Sequence, residues 1–382
     1  WCNTCILPKD SIPKGVIWGE SPTFKPTRVA PPGTGPFEVV EYQQKLQAVF
    51  ARHKDYHISG LPYLDRVIFK CISKTQPRTM ALRAGNLDYI FGVESNYASE
   101  HLKGHLGKLD DPEQPPPVYI EKDKIFIWAR QTESTHALFA NSHDKLGDSP
   151  FRDVRVRKAL DLCIDRKVLT KVLYDKLMVP TIQGFEPAVS PWGFEDIKPK
   201  PPDIEKAKKL LAEAGYPNGL DVVFHITPTW GKQDLMAQIV QQMAKPAGFR
   251  MKIVPEVGLQ YWSHIRARTY HIMVYGLMGE DPMNFYHYYL HTRPEKPYDG
   301  YALLGGKDKV MDQLLDDMAG EVDFQKRKAK FKKVVLRCNE KAYIIPYGNS
   351  VSVAGWSEKV KNFKPQNYYF PEQAFREAWI ER

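Results

Sequence analysis

Three pairs of histidines are spaced four residues apart, the spacing that puts two imidazoles on one face of a helix. The pairs are His53/His57, His101/His105 and His287/His291. Two imidazoles can bind Zn²⁺ or Ni²⁺, but a stable site needs further ligands, and no pair contains the glutamate of a metalloprotease HExxH helix. The sequence therefore predicts neither a resident metal nor another cofactor, although a metal or metal-chelate ligand stays an open alternative.

The cysteines give no sign of redox or structural chemistry. Five of them are scattered along the chain, at Cys2, Cys5, Cys71, Cys163 and Cys338. An odd and sparse set argues against a disulfide-stabilised scaffold. Cys2 and Cys5 form a CxxC pair, but a redox pair starts a helix, whereas a proline soon follows here. A zinc site would need a second pair nearby, and the sequence has none.

Motifs that carry enzymatic chemistry are missing from the sequence. It has no GxSxG nucleophile elbow and no GxxxxGK[ST] phosphate loop. Gly33 and Gly35 lack the third glycine and the following helix of a dinucleotide site. Asp316 and Asp317 stand beside two leucines on a predicted helix, where adjacent acids are typical of a solvated face. These residues therefore do not predict an enzyme.

The composition favours a large folded protein without membrane-spanning segments. The 382 residues are 43% hydrophobic with a mean hydropathy of -0.45, which is enough to bury a large core and to form two domains. No stretch of about 18 apolar residues is present. The net charge of +9 comes from 54 basic and 45 acidic residues, the basic ones scattered through amphipathic helices. Without interleaved base-stacking aromatics, these charges predict solvated faces rather than a nucleic-acid site.

The second half of the chain alternates between predicted helices and strands. Asp203 is placed to cap a helix that Gly215 ends, and a strand is predicted at 220–226. A helix at about 234–245 and a strand at 250–254 follow. This order predicts a β-α-β unit.

Aromatic side chains make up 12% of the sequence and offer flat faces on which a ligand can stack. Trp230 follows the end of a predicted strand, and Tyr261 and Trp262 precede a helix that leads to Tyr275. Packing in the core is the competing interpretation for each of them.

Six blocks of sequence carry a family resemblance. They are 33–37 (GTGPF), 61–65 (LPYLD), 81–88 (ALRAGNLD), 150–160 (PFRDVRVRKAL), 163–166 (CIDR) and 207–219 (AKKLLAEAGYPNG). In this order they resemble the bacterial solute-binding proteins of family 5, which bind peptides, nickel and related ligands. The likeness spans nearly the whole chain, and the block at 150–160 is the most specific because it is long and ungapped.

The resemblance implies an α/β fold of the two-lobed, periplasmic-binding-protein-like kind (type II, cluster C), a clamp with an incomplete first lobe. It assigns residues 1–145 and 350–382 to the first lobe and residues 146–349 to the second, ligand-gripping lobe. The chain then crosses between lobes near 139–145 and 346–353. Paired crossings form a hinge, because only a few backbone angles must change for two lobes to close.

The resemblance also indicates which residues contact the ligand. They are Asn141, Trp230, Tyr261, Trp262, Tyr275, Gly276, Met278 and Asp281. Peptide-binding members pair the free amine of the peptide with an aspartate that follows a strand-end tryptophan, since a buried charge needs an opposite charge. Aligned on Asp281, Tyr275 stands in the place of that tryptophan and Met278 in the place of that aspartate. A ligand without a peptide's free amine is therefore expected, unless Glu280 substitutes.

The function that the resemblance implies is that of the substrate-binding component of an ABC importer. Such a component captures a small organic solute by lobe closure and delivers it to a membrane permease, in the periplasm or another extracytoplasmic space. Two alternatives stay open: a degenerate structural or accessory subunit that kept the fold without transport, and a metal or metal-chelate binder. Family members are longer, and no signal segment precedes Trp1, so the chain is expected to be a fragment or a natural short form.

Overall fold

The chain folds as an α/β protein in two compact units. The computed structural model describes residues 34–43, 45–103, 106–107, 116–143, 149–187, 190–228, 232–277, 281–292, 308–364 and 375–381. Unit 1 consists of the described residues within Trp1–His105, Pro116–Ala129 and Ser352–Arg382, and unit 2 of those within Leu106–Pro115 and Arg130–Val351. Across the described residues, no helix combines the length and the apolar character needed to cross a bilayer.

The chain changes unit inside two long strands. Besides the changes at 105/106 and 115/116, one change lies between Ala129 and Arg130 and one between Val351 and Ser352. The change at Ala129 lies ten residues before the segment 139–145 that the sequence indicates as a crossing. It occurs inside a strand that continues without a break to Ala140. The lobe boundaries and the hinge stay predictions.

Unit 1 is built mainly from short strands. Its elements are β1 (Phe37–Gln43), β2 (Gln47–Arg52), β3 (Arg66–Lys70), α1 (Thr75–Arg83), β4 (Tyr89–Phe91), α2 (Ser95–Leu102), β6 (Val118–Ile120), the start of β7 (Ile125–Ala140), the end of β12 (Ile344–Ser357), β13 (Val360–Lys361) and β14 (Trp379–Ile380). Strands β1, β2 and β3 form an antiparallel sheet. A separate apolar cluster includes Trp128 and Trp356, which are both buried.

Unit 2 contains a mixed sheet with helices on both faces. Its elements are β5 (Leu106–Gly107), the end of β7, α3 (Val154–Cys163), α4 (Arg166–Tyr174), β8 (Met178–Pro180), α5 (Ile204–Glu213), β9 (Leu220–Ile226), α6 (Gln233–Ala244), β10 (Phe249–Pro255), α7 (Leu259–Ala267), β11 (Ile272–Leu277), α8 (Tyr288–Leu290), α9 (Lys309–Ala319), α10 (Phe324–Lys341) and the start of β12. The strand order across this sheet is β10-β9-β11-β7-β12.

The two faces of the unit 2 sheet are covered by two apolar clusters. Side chains alternate between the faces of a strand, so neighbouring residues enter different clusters. Leu138 and Val274 pack into a first cluster with α3, α5 and α6. Phe139 and Met273 pack into a second cluster with α9 and α10. Burial on both faces explains why β11 has a continuous apolar sequence instead of an alternating one.

The β-α-β unit that the sequence predicts is confirmed by the structure. Strands β9 and β10 pair in parallel over their full lengths, with α6 between them in the chain. The carboxylate of Asp203 caps α5 by accepting a hydrogen bond from the Lys206 backbone N–H. Gly215, in the left-handed region at φ 95°, follows the end of α5. These elements bring the ends of β9 and β10 to one edge of the sheet.

Candidate functional site

An aromatic cluster lies on the second face of the unit 2 sheet, around Tyr275 of β11. Its ring packs edge-on against Phe139 of β7 at 5.9 Å and against Trp262 of α7 at 5.7 Å between centroids. Tyr289 of α8 completes the set at 5.6 Å. Such edge-to-face pairs fix ring orientations and add to the stabilisation that burial gives. Tyr275 and Trp262 are half-buried, so part of each ring stays accessible.

Tyr261 precedes Trp262 on α7 but does not present a face to solvent. Its ring is only 1% exposed, and its hydroxyl donates a hydrogen bond to the carbonyl oxygen of Val274. This bond fastens α7 to β11, which holds Trp262 against Tyr275. The structure places the Tyr261 ring behind the cluster, and the ligand contact that the family resemblance implies for it stays a prediction.

Asn141 is fully buried at the end of β7, and its polar atoms are bonded within unit 2. Its side-chain amide donates to the carbonyl oxygens of Arg268 and Tyr270, at 2.8 and 2.9 Å. Its Oδ1 accepts the backbone N–H of His143. These bonds tie the end of β7 to the turn that leads into β11, so both N–H donors of the Asn141 amide are used within unit 2, and its contact with a ligand stays a prediction.

The segment that follows Tyr275 is described in part. Gly276 is buried and pairs with His136 across β11 and β7. Asp281 is half-buried, and its carboxylate forms an ion pair with Arg327 at 2.8 Å and accepts the backbone N–H of Met283. Met278 and Trp230, which the sequence indicates as ligand contacts, lie outside the described residues, as does Glu280.

An irregular helix directly follows Asp281. Residues Met283–His287 form a π-helix that runs into α8. Single π-helical turns are uncommon and occur often at functional sites. Here the turn places Tyr286 inside the second apolar cluster, where its hydroxyl accepts the backbone N–H of Gly184 at 2.9 Å. Tyr289 then meets Tyr275, so the π-helix helps to form the aromatic cluster.

The histidine pairs differ in their surroundings. His53 and His57 lie in a turn rather than on a helix, and His105 is outside the described residues. The rings of His287 and His291 stack at 4.5 Å, and Asp316 lies 3.1 Å from Nε2 of His291.

A second group of metal-ligating side chains lies elsewhere in unit 2, where no short motif announces it. It consists of His225, Glu256 and His264. Nδ1 of His225 is 3.2 Å from one oxygen of Glu256, and Nε2 of His264 is 3.1 Å from the other. The three residues come from β9, the residue after β10, and α7. Only the pairing of the two strands brings them together, so sequence spacing carries no signal of this group.

One carboxyl group of unit 2 has a strongly perturbed acidity. Burial raises the pKa of Glu186 to about 7, against the opposing effect of a hydrogen bond from Thr181. Glu186 follows Phe185, which packs in the second apolar cluster. Its carboxyl group is therefore near its midpoint of titration at neutral pH.

Comparison with known proteins places this geometry in a family. The profile of the family described as bacterial extracellular solute-binding proteins, family 5 Middle, matches residues 7–297. Heme-binding protein A of Haemophilus influenzae is 26% identical over 346 residues, which cover 87% of this chain and 57% of that protein. The dipeptide-binding protein of Pseudomonas aeruginosa is 25% identical over 348 residues, which cover 87% of this chain and 59% of that protein. The chain thus spans less than two thirds of the length of these relatives.

A solved structure shares the fold. The periplasmic binding protein AgaA of A. tumefaciens R10, in complex with agropinic acid, superposes with a TM-score of 0.75 at 23% identity. The match covers 91% of this chain and 67% of that one. The family profile covers well over half of the chain, and the sequence blocks occur in the family's order. The chain belongs to the bacterial extracellular solute-binding proteins of family 5.

Proposed function

We propose that this chain is the solute-binding component of an ABC importer. It captures a small organic solute by closing its two lobes and hands that solute to a permease in the membrane, outside the cytoplasm. Family membership is the observation that carries the proposal, since the matching relatives are named as binding proteins. Closure needs no covalent step, because a ligand that contacts both lobes only in the closed state shifts the population toward that state. The chain therefore acts as a binder and not as an enzyme.

The aromatic cluster is the proposed surface for the solute. Trp262 and Tyr275 combine rigid rings with partial exposure, and the packing of Phe139 and Tyr289 fixes their orientation. Rings held in place lose little conformational freedom when a ligand stacks on them, so more of the contact energy appears as affinity. Gly276 and the residues that follow it are proposed to line the same surface.

The solute is proposed to lack the free amine of a peptide. Burying an ammonium group in a binding site costs on the order of several kcal/mol of desolvation free energy, unless a carboxylate pairs with it. Asp281 is the acidic side chain described in this segment, and Arg327 already neutralises it. Met278 stands where peptide-binding members have the aspartate, which supports the same conclusion.

Calorimetric titration tests both parts of the proposal. Fractions of a small-molecule extract from the host's growth medium should include one that binds with 1:1 stoichiometry. A dipeptide with a free amine should bind no better than the same dipeptide with an acetylated amine. The absence of binding in every fraction would contradict solute binding, and a free-amine dipeptide that binds about tenfold tighter than its acetylated form would contradict the exclusion of peptides.

A further inference from the structure

The group formed by His225, Glu256 and His264 is separate from the residues that contact Tyr275. We propose that these three side chains bind one divalent transition-metal ion of the zinc class. Imidazole nitrogens and a carboxylate are the ligands that Zn²⁺, Ni²⁺ and Cu²⁺ accept readily, whereas Mg²⁺ and Ca²⁺ prefer oxygen alone. The proposal concerns an ion held by the chain itself and does not depend on which solute the aromatic cluster takes.

The strands place two of the ligands side by side. His225 lies in β9 and pairs in register with Val254 of β10, and Glu256 directly follows that strand. The backbone N–H of Glu256 donates to the carbonyl oxygen of Ile226 at 2.8 Å, which extends the strand contact by one more residue. Both ligands therefore stand at the carboxyl ends of parallel strands, the edge where open α/β sheets bind their ligands.

The third ligand is oriented by a partner of its own. His264 lies on α7, and its Nδ1 is 2.8 Å from the hydroxyl oxygen of Thr269. This contact leaves Nε2 aimed at Glu256, 3.1 Å away. A hydrogen bond that occupies the second ring nitrogen is the usual means by which proteins orient a metal-binding histidine.

One ligand atom from each of the three residues lies within 4.8 Å of the others, and the two imidazoles face opposite oxygens of the Glu256 carboxylate. Two donors that each lie about 2.1 Å from a tetrahedral Zn²⁺ are about 3.4 Å apart. The imidazole nitrogens of His225 and His264 lie 3.2 and 3.1 Å from the carboxylate oxygens of Glu256. Small side-chain adjustments would therefore admit an ion, with the fourth position left to water or another donor.

The charge balance of the group also calls for a cation. The side chain of Glu256 is 3% exposed, and within the described part of the chain its ion-pair partners are the two imidazoles. Nδ1 of His225 and the facing oxygen of Glu256 are both buried, and apart from each other at 3.2 Å they have no hydrogen-bond partner among the described residues. A buried carboxylate and a buried nitrogen in that state are costly, and a metal ion would satisfy both.

The other histidine group has no buried carboxylate. In the group formed by His287, His291 and Asp316, the side chain of Asp316 is 59% exposed, so water can solvate its charge. The side chain of His264, by contrast, is 30% exposed beside a sealed carboxylate. This exposure leaves the proposed ion a path from solvent.

Cobalt titration of chelator-treated protein tests the site directly. We expect one equivalent of Co²⁺ to bind and to give the visible absorption of a four-coordinate ion, which Zn²⁺ then displaces. His264→Gln should weaken Co²⁺ binding by about 100-fold or more, since it removes a direct ligand at a half-buried position on α7. His291→Gln is the matched control and should leave binding unchanged.

Three results would overturn the proposal. They are the absence of Co²⁺ and Zn²⁺ binding in the unaltered chain, unchanged affinity in His264→Gln, and loss of binding in His291→Gln. Circular dichroism of each variant checks that it is folded. Should His264→Gln fail to fold, Glu256→Gln, which keeps the side-chain volume, must lose the cobalt absorption instead, and retained absorption there would equally contradict the site.

Discussion

Tyr275 is the residue on which the proposed binding surface depends. It has a half-buried ring, and three aromatic neighbours set its orientation. The sequence indicates the position through family resemblance alone, because a tyrosine at a strand end is as compatible with core packing as with a ligand. The structure shows that its neighbours differ in burial: Tyr261 is buried behind the cluster, whereas Trp262 is half-buried.

The ionisation of Glu186 should make the stability of the folded protein depend on pH. Because its folded-state pKa is raised to about 7, the folded protein holds this proton more tightly than the unfolded chain does. Stability should therefore fall as the pH rises from about 4.5 to about 7, where the folded state must give up the proton. Glu186→Gln removes this penalty and should be more stable than the unaltered chain above pH 7, by on the order of 2 kcal/mol.

Thermal unfolding measured from pH 5 to pH 8 checks this expectation. Glu195→Gln serves as a graded comparison, because Glu195 also raises the pKa of Glu186 and its removal should shift the profile less, in the same direction. A Glu186→Gln variant that is no more stable than the unaltered chain above pH 7 would show that this carboxyl group is not held protonated.

At the scale of elements, a charged junction connects the start of α9, α10 and the residue before β12. Asp308 caps α9 by accepting the backbone N–H of Met311. Its carboxylate also accepts bonds from the Arg337 guanidinium of α10 at 2.6 and 2.8 Å and from the Tyr343 hydroxyl at 2.7 Å. Burial by itself raises the pKa of Asp308, but the bonds from Arg337 and Tyr343 outweigh it and lower that pKa below its ordinary value.

Asp308→Asn should therefore destabilise unit 2 at neutral pH, by about 2 kcal/mol, since it weakens hydrogen bonds that involve charged groups. A carboxyl group with a lowered folded-state pKa contributes stability above its unfolded pKa and loses it as the pH falls through the folded value. The difference between variant and unaltered chain should shrink as the pH drops below about 4. Thermal melts at several pH values measure it.

The control for this junction is Asp317→Asn, on the exposed face of α9. It should change the melting temperature little at any pH, because a solvated carboxylate contributes little to stability. An Asp308→Asn effect that is as small as this, or that stays constant down to acidic pH, would contradict the role assigned to the junction.

Helices and strands could be predicted where residues close together in the sequence carry the signal. The spacing of Phe331, Val334, Val335 and Cys338 indicates one helix face in the sequence, and all four are buried on α10. The strands and helix of the β9-α6-β10 unit could likewise be predicted from local sequence, as could α5 from its cap Asp203 and the Gly215 that follows it. The junction at Asp308 and the group around Glu256 could not, since their members come from elements distant in the chain that only tertiary packing brings together.

At the scale of the whole molecule, membership of the family supports a solute-binding role, and the solved structure supports the fold. The family profile covers residues 7–297, and the fold superposes on a periplasmic binding protein with a TM-score of 0.75. The chain forms two compact units, and the strands β7 and β12 each contribute residues to both. The sequence predicts the family from its ordered blocks, whereas the ligand could not be predicted, because relatives with the same framework are named for heme and for dipeptides.

Native mass spectrometry of protein purified from its host tests the central claim most directly. A binder that closes around its solute should carry added mass under native conditions and lose it on denaturation, and the freed compound should be a small organic molecule. Tyr275→Ala should purify without that mass, while Tyr216→Ala, which alters a half-buried tyrosine packed against the first apolar cluster, should retain it. Unaltered protein that shows no added mass, or a Tyr275→Ala variant that keeps it, would contradict the account.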